Sequence, residues 1–230
     1  MSTKRSGIKV AVDAVVFGYA KAEGVSVLLI RRKYAPFQEG WALPGGFVHD
    51  DESLEAAVRR ELGEETGIQA PYLEQLYTFG DPARDPRQRV LSVAYFALVK
   101  SSHYQELKAS TDAAAVQWFP IGALPKLAFD HKEIVGTAIA RVRAKIRYQP
   151  IGFELLDKTF PFADLERLYS ALLDRPIDRR NFAKKMLALG ILDETQELAR
   201  GEGKGRPSKL YRFNKKRYGQ LLKEGINFEI

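Results

Sequence analysis

The chain of 230 residues contains no cysteine. Disulfide bonds and thiol chemistry are therefore excluded, and a reducing, cytoplasmic setting is the simplest expectation. Residues 1–7 lack the apolar stretch that a signal peptide requires, and no apolar run approaches the length of a membrane span. We therefore expect a protein of the cytoplasm with no membrane partner.

The composition is that of a folded protein with a basic end. Hydrophobic residues make up 45% of the chain, enough to bury a core, and the length allows one large domain or two small ones. The net charge is +7, and residues 200–217 hold eight basic residues against one acid. Such a block can neutralise the phosphates of a nucleic acid.

Residues 46–68 combine a helical pattern with a regular set of acids. From Ser53 to Thr66 the chain is rich in Leu, Ala, Glu and Arg and contains no proline. A helix is therefore predicted here, and Gly67 is expected to end it.

The acids of this helix lie on its apolar side. At about 100° per residue, Glu61 and Glu65 share the direction of Leu54, with Glu64 beside them. Carboxylates turned toward a core require a cation, and their hard oxygen ligands suit Mg²⁺ or Mn²⁺. A solvated acidic face is the alternative, but its charges would then point outward.

The same segment resembles the Nudix family, because it carries that family's box at every position. The resemblance implies a mixed sheet between helices and a pocket for a nucleoside diphosphate linked to another group. It implies metal ligands at Glu61, Glu64 and Glu65, which with Arg60 would be the catalytic residues of an active enzyme. The positions of the box are Gly46, Glu52, Arg60, Glu61, Leu62, Glu64, Glu65, Gly67 and Ile68.

Two further segments, 78–95 and 127–131, resemble the ADP-ribose pyrophosphatase branch of this family. The first places three arginines on a proline-containing loop before a strand, where cations can meet a pyrophosphate. A solvated basic loop is the alternative for these arginines, and His131 is more simply explained by packing at a helix start than by proton transfer. The predicted ligand-binding residues are Gly45, Gly46, Arg84, Arg87, Arg89 and His131.

The organisation of the chain changes near residue 150. Strand-like runs and a helix starting at Asp130 precede this point, and two short helices joined by a tight turn follow it. The first of these begins at Asp164, and the second is capped by Asp178. We therefore predict two domains, 1–148 and 149–230.

The second domain resembles a winged helix-turn-helix, since its helices are followed by a basic hairpin. The second helix exposes a basic face, and the glycine-rich hairpin tip is slim enough to reach a groove. Solubilising charges and a protein-interaction module are the alternatives. The predicted DNA-binding residues are Arg179, Arg180, Asn181, Lys184, Lys204, Arg206 and Lys209.

The two predicted domains together give an α/β fold, a Nudix α/β/α sandwich with a C-terminal winged helix-turn-helix. This pair of domains resembles the Nudix-related transcriptional regulators of NAD metabolism. That resemblance implies a homodimer that binds a double-stranded DNA operator, acts as a repressor and senses ADP-ribose, with metal dispensable for sensing. The intact box keeps a second hypothesis open, an ADP-ribose pyrophosphatase that releases AMP and ribose 5-phosphate. The basic second domain favours the regulator, because hydrolysis of a soluble metabolite does not require it.

Overall fold

The computed structural model describes residues 7–101, 113–199 and 208–230. These residues divide into two compact units, one of 7–18 and Val25–Ala140, the other of Tyr19–Gly24 and Arg141–Ile230. None of the helices in the described ranges is both long and apolar enough to cross a membrane.

The strands are β1 (Lys9–Ala20), β2 (Gly24–Arg32), β3 (Trp41–Ala42), β4 (Gly45–Phe47), β5 (Tyr72–Phe79), β6 (Val90–Val99), β7 (Ala113–Pro120), β8 (Phe160–Pro161), β9 (Leu192–Ala199) and β10 (Ser208–Phe213). The helices are α1 (Leu54–Thr66), α2 (His131–Tyr148), α3 (Phe162–Leu173), α4 (Arg179–Ala188) and α5 (Lys215–Glu224), with a short 3₁₀ turn at Phe153–Leu155.

The first unit is built on a mixed sheet with β1 and β6 at its centre. Its strand order is β3-β2-β1-β6-β5, with β4 paired to β1 and β7 paired to β2. Strands β1 and β6 run parallel, and both are apolar and buried over most of their length, as expected for strands covered on both faces. Asp13 and Ser92 are the exceptions, because they are polar and buried in these two strands.

Helix α1 packs against this sheet as the sequence predicts. The Ser53 hydroxyl accepts the N–H of Ala56 at 3.1 Å, and Gly67 ends the helix at φ 72°, a left-handed conformation that favours glycine. Its apolar side, which includes Val58 and Leu62, joins the core formed by β1 and β6. The predicted helix with its glycine stop is confirmed.

The second unit has the order helix, turn, helix, hairpin. Helix α4 begins after Asp178, whose carboxylate accepts the N–H of Asn181 at 2.8 Å, and it buries Phe182 and Met186. Strands β8, β10 and β9 form an antiparallel sheet in that order. The predicted winged helix architecture is confirmed.

Two details of the second unit differ from the sequence expectation. Helix α3 begins at Phe162 instead of Asp164. Asp164 is buried in the first turn and pairs with Arg167 at 2.9 Å and with Lys21 of the same unit at 2.5 Å. The structure also adds α5, which Asn214 caps by accepting a backbone N–H. The sequence patterns did not indicate this helix, because its lysines and arginine were counted only as charge.

We predict that Phe182→Ala destabilises the second unit. The Phe182 ring lies 4.9 Å from that of Tyr169 and 5.7 Å from that of Phe162, so it attaches α4 to α3. Loss of a buried phenylalanine costs about 3–5 kcal/mol of the free energy of unfolding. Hydrogen exchange of the α3 and α4 amides measures the effect, and Leu187→Ala is the matched control on the exposed side of α4. Equal protection in the two variants would contradict this account of the packing.

Candidate ligand site and nucleic-acid interface

The two glycines before α1 lie directly against its glutamates. The Gly45 N–H donates to Glu65 Oε2 at 2.8 Å. A Cβ atom added to Gly46 would lie 2.2 Å from Glu61 Oε1, so any other residue here would collide with the carboxylate. The glycines therefore permit the close approach of β4 to the acidic side of α1.

Arg60 organises the remaining acids of the box. Its guanidinium lies 2.6 Å from Glu52, 2.8 Å from Glu61 and 3.3 Å from Glu64. Hydrogen bonds from Arg60 and from the His49 backbone lower the pKa of Glu52 to about 2. Sequence reasoning gave Glu52 no role, although it belongs to the box; in the structure it orients Arg60.

The box acids offer hard oxygen ligands, but Arg60 pairs with two of the three predicted metal ligands, Glu61 and Glu64. Burial raises the pKa of Glu61, against the lowering effect of its hydrogen bond from Arg60. A buried carboxylate with incomplete compensation suits a divalent cation. Within the described residues, however, no three acidic, histidine or cysteine side chains are gathered as a metal site. The donor set fits such an ion chemically, provided that the ion competes with Arg60 for Glu61 and Glu64.

A cleft beside the box gathers most of the predicted ligand residues. Its cavity volume is about 170 Å³, and its mouth is open to solvent. Five of the six predicted ligand residues line it, and Arg89 does not. The lining includes Gly45, Gly46, Arg84, Arg87 and His131, together with Asp13, Arg32, Phe47, Asp85 and Phe129, which the sequence analysis did not select.

Arg84 lies in the cleft wall with its charge already compensated. Its guanidinium makes two bonds of 2.8 Å to Asp130 and lies 3.3 Å from Asp13. The Asp13 carboxylate also accepts the Ser92 hydroxyl. Both aspartates therefore already pair with the Arg84 guanidinium. The contact between Arg84 and a ligand stays a prediction.

His131 is held by a hydrogen bond at Nδ1 and lies near Asp13 at Nε2. Its Nδ1 accepts the Leu43 N–H at 2.8 Å, so Nε2 carries the proton of the neutral ring, 3.4 Å from Asp13. Burial lowers the pKa of His131, which keeps this neutral form. These contacts agree with the packing role and leave the proposed ligand contact untested.

The exposed side of α4 presents the predicted DNA-binding residues. Arg179, Arg180, Asn181 and Lys184 are exposed, while Phe182 and its apolar neighbours point inward. Arg179 pairs with Glu166 of α3 at 3.2 Å. The basic face of α4 is thus free of the core along its length.

The hairpin of β9 and β10 carries Lys209, one of the predicted DNA contacts. Lys209 on β10 pairs with Glu194 on β9 at 2.7 Å, so part of its charge is balanced within the hairpin. The predicted contacts at Lys204 and Arg206 lie outside the described residues. All of these residues remain predicted DNA contacts.

Two family profiles match the chain. The NUDIX domain matches residues 7–137, and the NrtR DNA-binding winged helix domain matches residues 152–213. An ADPR responsive transcriptional repressor, NtrR of Acinetobacter baylyi, is 35% identical over 206 residues, which span 88% of this chain and 80% of that protein.

Solved structures show the same similarity. The crystal structure of Shewanella oneidensis NrtR complexed with a 27mer DNA superposes with a TM-score of 0.82 at 34% identity, over 91% of this chain and 95% of that one. The NUDIX domain of the same protein complexed with ADP ribose gives a TM-score of 0.54 at 38% identity, over 59% of this chain and 89% of that one. The chain therefore belongs to the Nudix family, in the group whose members carry an NrtR DNA-binding winged helix domain.

Proposed function

We propose that the chain is a transcriptional repressor of NAD metabolism genes that binds operator DNA and is released by ADP-ribose. One observation carries the proposal: a complete Nudix cleft and an exposed basic reading helix occur in one chain that resembles an ADPR responsive repressor over most of its length. A repressor works where the DNA is, so we place it in the cytoplasm. The first domain, 1–148, would sense and the second, 149–230, would bind DNA.

The cleft suits a molecule with a negatively charged pyrophosphate. Arginines predominate among its charged lining residues, and the relative's NUDIX domain has been crystallised with ADP ribose. Arginine is well matched to phosphate oxygens because it presents several donors in one plane. These features support ADP-ribose as the signal.

Nudix hydrolases generally use divalent metal ions. We propose that Mg²⁺ or Mn²⁺ binds Glu61, Glu64 and Glu65 here, where it would neutralise charge on the pyrophosphate. Arg60 also pairs with Glu61 and Glu64. We propose that metal is dispensable for sensing, because arginines and backbone groups of the cleft can hold the ligand.

The intact box supports a second candidate function, hydrolysis of ADP-ribose to AMP and ribose 5-phosphate. Burial raises the pKa of Glu61, and carboxylates with perturbed pKa values cluster at active sites. The repressor remains the first choice, because an exposed basic helix serves DNA and not hydrolysis.

We predict that replacing Arg180 and Lys184 together with alanine weakens operator binding and flattens its salt dependence. Each phosphate contact that is lost changes the slope of log affinity against log salt by about 0.9. The operator is selected from random duplexes, and we expect two chains on each duplex, because paired half-sites give a small reader its specificity.

Lys132→Ala is the matched control for this experiment, since it removes an exposed lysine from the first unit. It should leave both affinity and slope unchanged. The assignment of α4 as the reading helix fails if the double variant behaves like this control.

We predict that saturating ADP-ribose lowers operator affinity by roughly 5- to 150-fold, which corresponds to a coupling of about 1–3 kcal/mol. A ligand shifts DNA binding only if it binds the two arrangements of the protein unequally. Fluorescence anisotropy of labelled operator measures the shift, and AMP release is followed in the same samples. An unchanged isotherm with rapid AMP release would favour the pyrophosphatase instead.

We predict that Glu64→Gln with Glu65→Gln abolishes any hydrolysis and retains the response to ADP-ribose. Glutamine keeps an oxygen that accepts the Gly45 N–H, so the fold survives, while two negative charges needed by a metal are lost. DNA release by ADP-ribose and AMP production are measured side by side. Loss of the response in a folded, DNA-binding variant would place the carboxylates within the sensor.

A further inference from the structure

Arg32, at the end of β2, is a partly buried cation that makes no ion pair among the described residues. Its Nε donates to the Pro36 carbonyl at 2.9 Å, and Nη2 lies 3.5 Å from the Tyr34 carbonyl. Among the described residues no carboxylate forms an ion pair with it. Burial lowers the pKa of Arg32 and the positive charge of Arg87 lowers it further, while the negative charges of Glu65, Asp85 and Asp13 act to raise it.

The other arginines of the cleft differ in this respect. Arg84 is paired with Asp130 and Asp13, and Arg87 is paired with Asp85 at 2.8 Å. Desolvation of a charge that has no paired acid is costly, so a ligand that supplies the opposite charge can stabilise Arg32. Arg32 is therefore the lining cation best able to accept an added anion.

Phe129 holds this charge in place. The Arg32 guanidinium carbon lies 4.9 Å from the centre of the Phe129 ring, and that of Arg87 lies 6.0 Å from the same centre. The negative face of an aromatic ring attracts cations, so one ring steadies two guanidinium groups that repel each other. Both guanidinium groups thus lie near the Phe129 ring, and that of Arg87 also lies 5.8 Å from the centre of the Phe47 ring.

The backbone of Phe129 is strained to present the ring. Its φ is +51°, a conformation that costs a non-glycine residue about 1–3 kcal/mol and tends to occur at functional sites. The preceding N–H, of Ala128, is tied to the Trp41 carbonyl at 2.8 Å, and the ring contacts that of Phe37 at 4.8 Å. The surrounding contacts over-determine the position of this ring.

We propose that Arg32, seated on Phe129, binds the pyrophosphate of the ligand and is the principal anion-recognition residue of the cleft, with Arg87 as its partner and Arg84 as a structural residue. The ligand class is a nucleoside diphosphate or its sugar conjugate. The identification of the ligand as ADP-ribose rests on the proposed function. The role of Arg32 concerns only the pyrophosphate group of that ligand.

The test compares Arg32→Met with Arg31→Met by calorimetric titration of the full chain with ADP-ribose and, separately, with inorganic pyrophosphate. Arg31 is the matched control, because it is the adjacent arginine, exposed, and paired with Glu39 at 2.9 Å. Loss of charge-assisted hydrogen bonds should weaken both ligands roughly 10- to 150-fold in the Arg32 variant. The Arg31 variant should bind as the parent does.

A second variant, Phe129→Leu, tests the proposal independently in case Arg32→Met does not fold. It leaves both guanidinium charges in place and removes only the ring, so ADP-ribose affinity should fall roughly 2- to 30-fold. Thermal unfolding is recorded for every variant. A folded Arg32→Met or Phe129→Leu protein that binds both ligands within twofold of the parent overturns the assignment.

The outcomes separate the two proposals. If the parent binds pyrophosphate but not ADP-ribose, the proposed signal is wrong, while loss of pyrophosphate binding in Arg32→Met still supports the anion site. If the parent binds ADP-ribose and Arg32→Met binds it equally well, the repressor proposal stands and the Arg32 assignment is wrong.

Discussion

The cleft depends on one buried arrangement of charge, in which Arg84 joins Asp13 and Asp130. These residues come from β1, from the loop before β6 and from the turn before α2, so one guanidinium fixes three distant segments. Removing one partner of a buried ion pair typically costs about 3–5 kcal/mol, because it leaves a charge without compensation. His131 adjoins this network, since its Nε2 lies 3.4 Å from Asp13 while its Nδ1 accepts the N–H of Leu43, which precedes the cleft glycines.

This arrangement also explains which site residues the sequence could predict. The box acids share one helix, so their common side follows from helical spacing alone, and the glycines follow from their place before it. Arg84 was selected for its charge on a loop, but its partners are 46 and 71 residues away in sequence. Only the fold shows that those partners compensate the charge of Arg84. The fold is therefore needed to distinguish a structural arginine from one that can bind a ligand.

Arg32 and Phe129 are site residues that the sequence did not single out. Arg32 stands next to Arg31 at the end of a strand, and side chains alternate along a strand, so one arginine faces solvent while the other enters the cleft. Nothing in the local pattern tells which one does so. Phe129 lay inside a segment already associated with the ligand, but its positive φ and its contacts with two arginines are tertiary features. The strands and α1 were easier to predict because their apolar periods are local.

The response of DNA binding to a ligand requires a structural element whose state depends on both events. Two continuous elements cross the boundary between the two units in sequence. Strand β1 carries Asp13 in the cleft, and its last residues, from Tyr19, belong to the second unit; helix α2 starts at His131 and enters the second unit at Arg141. Asp13 lies 3.4 Å from His131, so a ligand that alters the charge around this pair would act on β1 and α2 within the first unit, before either element enters the second.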